Sequence, residues 1–157
     1  LLLLVHRIVA MIRVYLDTCA LQRPLDTKSH LRIALESEAV LGLMGMWEAR
    51  QIQFIFSDAH KMEMEKNKNV YRREYALDII SRADLYISLT ESIETRASAL
   101  LQFGISPLDS LHLAFAESDP LDFFCTCDDE LIKKSKRVKD LKTRLILPLD
   151  LVKEIEK

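Results

Sequence analysis

Five short runs of β-branched and aromatic residues recur along the chain, and helical stretches separate them. The runs are IRVYL (12–16), QFIF (53–56), DLYISL (84–89), DFFCT (122–126) and RLIL (144–147), and their length and residue types predict buried strands. From about 29 to 50, Leu31, Leu35, Val40, Leu43, Met44 and Trp47 keep helical spacing and predict one long helix. Further helices are expected after Ser57, which stands at an N-cap position, over 70–82, and over 91–103 with Gly104 as the stop. The best punctuated start is Ser106-Pro107-Leu108-Asp109: a cap, a proline at the first helical position and an acid three residues past the cap, opening a helix to about Glu117. A short basic helix near 128–138 and a terminal helix opened by Pro148 complete the series.

Strands that alternate with helices need crossover connections. The pattern therefore predicts an α/β fold with a mostly parallel sheet of about five strands, covered by helices on both faces. Such sheets bind ligands outside the carboxyl ends of their strands, so the polar residues at strand-to-helix junctions are the ones to weigh.

Composition narrows the picture further. A chain of 157 residues with 49% apolar content, three Gly and four Pro is long enough for one real core and leaves little linker, so residues 11–157 read as one domain. Residues 1–10, LLLLVHRIVA, carry His6 and Arg7 and fall far short of the ~20 apolar residues that span a bilayer. They also lack the marks of a secretory signal, and are expected to be an upstream or cloning-derived extension. No membrane association is expected. Three cysteines do not make a disulfide framework; Cys125 and Cys127 read as small buried thiols, and a reducing cytoplasm is the expected location.

The net charge of −2 hides an asymmetry. Residues 131–144, LIKKSKRVKDLKTR, carry seven Lys or Arg against one Asp, which leaves an acidic remainder. A basic strip beside an acidic body is the footprint of a polyanion approaching an acidic site; the plainer alternative is a solvated helix face.

Four carboxylates fall where ligands would gather. Asp17 follows the first strand, Glu63 lies one to two turns past the second, Asp109 sits in the first turn of its helix, and Asp128 follows the fourth strand. Each has an ordinary explanation, since an Asp after a strand is commonly a cap or a turn former and Asp109 can serve a capping box. Together they can converge, and a hard cation such as Mg²⁺ or Mn²⁺ would relieve their repulsion and prepare water for attack on a phosphodiester.

At this point the residues resemble a known family. VYLDTCAL (14–21), SDAHKMEME (57–65), ISPLDSLHLAFAE (105–117) and FFCTCDDELIKK (123–134) resemble the four motif blocks of PIN domains, in the same order, over Met11 to about Leu149. The likeness is greatest to VapC-type toxins. The Asp-x2-His-Leu-Ala block and the Thr-x-Asp block are its most specific parts. The resemblance implies a PIN-like α/β/α sandwich and a Mg²⁺- or Mn²⁺-dependent endoribonuclease. Asp17, Glu63, Asp109 and Asp128 match the acidic quartet, with Ser57 and Thr126 as polar companions. It also implies an RNA substrate, a homodimer and a small antitoxin partner.

Two stretches depart from the pattern: the first helical region is longer than is usual in VapC enzymes, and LQRPLD (21–26) resembles a subgroup of unassigned substrate. Asp129 is expected either to assist the metal or to cap the next helix. Lys133, Lys134, Lys136 and Arg137 are expected to hold RNA phosphates. His112, one turn past Asp109, reads as a satisfied structural histidine, and His60 as exposed or a neighbour of the site at best.

The rival from another class is a catalytically silent PIN-fold module that binds RNA or protein. A phosphatase with Asp17 as nucleophile is weakened because Cys19 stands where a second acid belongs. No Gly-rich nucleophile elbow and no P-loop is present.

Overall fold

The first strand, β1 (Ile12–Leu16), lies at the centre of the sheet because it is apolar enough to be covered on both faces: Val14, Tyr15 and Leu16 are fully buried. The computed structural model describes residues 11–157, so the expected extension at 1–10 lies outside the described residues. β2 (Ile52–Ser57) pairs with one edge of β1, setting Val14 opposite Phe54, and β4 (Phe123–Cys125) pairs with the other, setting Val14 opposite Phe123. β3 (Leu85–Ile87) and β5 (Arg144–Ile146) close the order β3-β2-β1-β4-β5, and every pairing is parallel.

Eight helices lie between and after these strands: α1 (Thr18–Gln22), α2 (Leu31–Glu48), α3 (Asp58–Lys66), α4 (Val70–Ser81), α5 (Glu91–Leu100), α6 (Pro107–Glu117), α7 (Asp129–Ser135) and α8 (Pro148–Ile155). Single turns of 3₁₀ helix follow α1 and α5, and Gly104 ends the second with φ +78°, a conformation glycine adopts without a Cβ clash. Among the described residues, no helix is long and apolar enough to cross a membrane.

The expected series of elements is the observed one, with three differences. The short α1 was not expected: five residues are too few to show a period, and Asp17 ends β1 only to cap this helix. The basic helix stops at Ser135, short of 138. In α2 the buried face is Glu36, Ser37, Ala39, Val40 and Leu43, while Leu31 is 77% exposed and Leu35 46% exposed. At 3.6 residues per turn Leu31 lies about 180° around the helix from Val40, so the exposed leucines stand on the side turned away from the buried face and do not form one stripe with Val40 and Leu43.

Alternation along the strands divides the core in two. Val14, Leu16, Phe54, Phe56 and Cys125 face α1, α2, α4 and α8; Tyr15, Ile55 and Phe124 face α5, α6 and α7. Helix α3 straddles the division, giving Met64 to the first core and Ala59 to the second.

Candidate active site

The carboxyl ends of β1, β2 and β4 run directly into Asp17, Ser57 and Thr126. Asp17 caps α1: its Oδ1 accepts from the Ala20 amide at 2.9 Å and from the Cys19 thiol at 3.0 Å, while its own amide donates to the Cys125 carbonyl at 3.0 Å. Asp17 is only 6% exposed, and no basic side chain pairs with it among the described residues. Burial pushes its carboxyl well above the ordinary range, with the Cys19 sulfur adding to the rise and the Thr126 hydroxyl and Ala20 amide opposing it.

Asp109 is half-buried in the first turn of α6, where the Ser106 hydroxyl accepts from its amide at 3.2 Å. Its carboxyl is also raised, first by burial and then by the charges of Asp128 and Glu63, while Ser106 and His112 oppose the rise. Asp128 is exposed and caps α7, its Oδ1 accepting from the amides of Glu130 at 3.0 Å and Leu131 at 3.1 Å. The Thr126 hydroxyl, fully buried, accepts from the Asp128 amide at 3.1 Å and so steadies the turn that carries it.

Glu63 is held by two donors on one oxygen. The Thr18 hydroxyl donates to Oε1 at 2.8 Å, and His112 Nε2 donates to the same atom. His112 is 2% exposed, as expected of a satisfied histidine, but its partner is a member of the quartet. Its Nδ1 lies 2.6 Å from the Tyr15 hydroxyl, which in turn lies 2.7 Å from Ser57 Oγ. His60 is fully buried, where the sequence reading had it exposed or beside the site. It completes a capping box on α3, accepting from the Ser57 amide at 3.1 Å, and its Nε2 donates to the Leu16 carbonyl at 2.7 Å. Burial and the neighbouring His112 hold its pKa well below 6.5, so the ring is neutral.

The expected companions take different places. Ser57 points into the core, capping α3 through the Ala59 amide at 3.2 Å, and meets Glu63 only by way of Tyr15 and His112. Asp129 is paired with Arg32, whose Nη2 donates to Oδ1 at 3.0 Å, and this contact holds its carboxyl below the usual range. Lys133, Lys136 and Arg137 are exposed and Lys134 is half-buried, all on or just past the last turn of α7; Arg137 also donates to the Phe103 carbonyl at 3.3 Å. Two cations beside Asp128 are ones the sequence did not single out. Arg23 and Arg32 line a cavity of about 530 Å³ with Cys19, Glu36, Cys127 and Asp128. Their signal in the sequence was no more than two arginines in and after LQRPLD, with nothing to say that α2 returns to this edge.

Carboxylate and hydroxyl oxygens are the donors that Mg²⁺ and Mn²⁺ prefer, and a buried carboxylate without a cationic partner, with a second one raised by burial and by the charges of Asp128 and Glu63, is the chemistry that such an ion relieves. In that sense the residues fit a hard divalent cation. Among the described residues no three His, Cys, Asp or Glu side chains are gathered closely enough to hold one as they stand. Mg²⁺ commonly keeps several waters, so a complete cage of protein ligands is not required of these residues.

No family model matches the chain, and no curated protein matches it. Among solved structures it is similar to a chain of VapBC2 from Rickettsia felis bound to a DNA fragment from their promoter: 16% identity, 87% of this chain and 98% of that chain covered, and a TM-score of 0.57. The likeness is one of fold, and the five-stranded parallel sheet between helical layers is the PIN-like α/β/α architecture expected from the sequence.

Proposed function

We propose that this chain is a divalent-metal-dependent endoribonuclease of the PIN type. The observation that carries the reading is Asp17, a buried carboxylate at the carboxyl end of the central strand with no cationic partner among the described residues, on the same edge as Asp109, Asp128 and Glu63. Asp17 with Asp109 and Asp128 would hold Mg²⁺ or Mn²⁺, and Glu63 would be a further ligand or would orient the attacking water. When bound, such an ion lowers the pKa of water and neutralises charge at a phosphodiester. The protein's own part is positional. The α1 cap and the Cys19 thiol keep Asp17 in place, the α7 cap fixes Asp128, and Thr18 and His112 fix Glu63.

Restriction to RNA, a homodimer and a small antitoxin belong to the same proposal; the neighbouring VapBC2 assembly supports the last of these. Asp17→Asn keeps the α1 cap and removes a charge. It is expected to lower Mn²⁺-dependent RNA cleavage about 10²-fold or more and to leave the fold intact. Cleavage by Asp17→Asn at the wild-type rate would remove Asp17 from the mechanism. A chelator should stop wild-type cleavage and added Mn²⁺ restore it. The second reading, a silent PIN-fold binding module, is favoured by one observation: no ready-made ligand triad exists among the described residues. It predicts RNA binding that a chelator leaves unchanged, with no cleavage.

Substrate capture is assigned to Lys133, Lys134, Lys136 and Arg137, one turn or more past Asp128 along α7. Lys133→Glu with Lys134→Glu should weaken RNA binding across sequences and flatten its salt dependence, while Mn²⁺ affinity is kept. Equal slopes in a salt titration would return that role to Arg23 and Arg32.

A further inference from the structure

We propose that Tyr15 and His112 are positioning residues for Glu63: a buried, one-directional hydrogen-bond relay that starts at Ser57 sets which Glu63 oxygen is left for the acidic edge. The consequence for chemistry rests on the nuclease reading above; the relay itself rests on the geometry.

The direction of every bond follows from its ends. A carboxylate only accepts, so His112 Nε2 carries the proton it gives to Glu63 Oε1. With the proton on Nε2, Nδ1 is the nitrogen left to accept, and the Tyr15 hydroxyl at 2.6 Å donates to it. Tyr15 oxygen is left to accept, and Ser57 Oγ at 2.7 Å donates to it while itself accepting from the Ala59 amide. The chain therefore runs from Ser57 through Tyr15 and His112 to Glu63. With the Thr18 hydroxyl on the same oxygen, Oε1 is occupied twice and Oε2 is the oxygen left to work.

Packing does not call for these polar atoms. The Tyr15 ring stacks on Phe124 at 5.2 Å and 13°, a contact that Phe would make as well. A hydroxyl at a fully buried position loses its water and regains it only through its two bonds in the relay. His112 sits against His60 at 4.7 Å; His60 Nε2 donates to the Leu16 carbonyl and Nδ1 accepts from the Ser57 amide at 3.1 Å, and although Ser57 Oγ also lies 3.4 Å from that Nδ1, its shorter contact is the one to Tyr15 at 2.7 Å. A carboxylate that is to orient water must be held to within a fraction of an ångström, and partners behind it commonly change metal affinity or activity by about ten- to a hundredfold.

Three variants test this: Tyr15→Phe, His112→Gln and His112→Asn. The glutamine amide nitrogen can stand where Nε2 stands and still donate to Glu63; the shorter asparagine reaches only the Nδ1 place. Nitrogen-15 NMR of protein without metal should show His112 as the Nε2–H tautomer in wild type and in Tyr15→Phe alike, since the Glu63 carboxylate only accepts, and an Nδ1–H tautomer in wild type would overturn the proposal. In Mn²⁺ titration Tyr15→Phe and His112→Asn should each bind about tenfold more weakly and lose kcat more than KM, while His112→Gln recovers most of both. Thermal midpoints control for damage to the fold, which the two His112 variants should share. Wild-type affinity and kcat in Tyr15→Phe, or equal losses in the Gln and Asn variants, would overturn the proposal. Wild-type protein that binds Mn²⁺ and cleaves no RNA would overturn the ribonuclease reading alone, leaving the relay to be decided on tautomer and affinity. Wild-type protein that binds no Mn²⁺ would overturn both.

Discussion

Beneath α1, α2, α4 and α8 the sheet meets a core of Val14, Leu16, Phe54, Phe56, Met64 and Cys125; beneath α5, α6 and α7 the same strands present Tyr15 and Ser57, and the helices answer with His112. The first face is held by volume. Its aromatic contacts, Trp47 on Phe54 at 4.9 Å and Phe54 on Phe56 at 6.0 Å, need no proton in a particular place. The second face carries an apolar core too, but at its carboxyl end a seam of hydroxyls and imidazoles replaces hydrocarbon, and each member needs its partner. One face sets how stable the domain is. The other trades part of that stability for a fixed arrangement of polar atoms beside the acidic edge.

The comparison breaks most sharply at Phe54. It is fully buried between Trp47 and Phe56, so Phe54→Ala should cost about 3–5 kcal/mol in urea unfolding, through lost transfer energy and the cavity left behind. Phe54→Leu, closer in volume, should cost clearly less. If the two variants were equally damaged, shape and not volume would govern that face.

A second cut separates the faces by pH. His60 is buried and neutral, with a folded pKa well below 6.5. Above pH 6.5 neither the folded nor the unfolded form carries the proton, so its contribution to stability is full. As pH falls below 6.5 the unfolded chain takes up a proton that the folded chain refuses, and stability is lost at up to about 1.4 kcal/mol per pH unit. His60→Gln keeps an acceptor at the capping-box position and cannot titrate. Measured between pH 7 and 5, its stability should fall less steeply than that of wild type, whereas Phe54→Leu should keep the wild-type slope. Parallel curves for wild type and His60→Gln would mean that His60 is charged in the fold.

These two cuts also divide what could be read in the sequence. The volume-held face follows from period: IRVYL and QFIF announce buried strands, and Val14, Leu16, Phe54 and Phe56 fall into line by alternation alone. The junction residues were legible too, because Asp17, Thr126 and Asp128 sit where parallel strands end. The seam was not. Tyr15 reads as one more aromatic in a strand, Ser57 as a cap and His112 as a core histidine, and each reading is locally true. What joins them is the register that sets β1 beside β2 and the packing of α3 on α6, and a single chain shows neither. The pairing of Arg32 with Asp129 was hidden for the same reason, since it needs α2 to return over a separation of 97 residues.

The smallest expected effect tests where the apolar face ends. At 3.6 residues per turn Leu31 lies about 180° around α2 from Val40, and it is 77% exposed while Val40 and Leu43 are fully buried. Leu31 therefore belongs to the outward side of the helix, while Glu36 and Ser37, one turn on and on the other side, are buried. A side chain already in water loses little when made polar, and serine is only slightly worse than leucine as a helix former. Leu31→Ser should then change unfolding free energy by no more than about 0.5 kcal/mol, against several for a buried leucine such as Leu43→Ala. A loss of 2 kcal/mol or more at Leu31 would place it inside the volume-held face and extend that face beyond the sheet. A near-neutral result would confine the face to the span from Glu36 to Leu43, where the helix rests on β2 and α8.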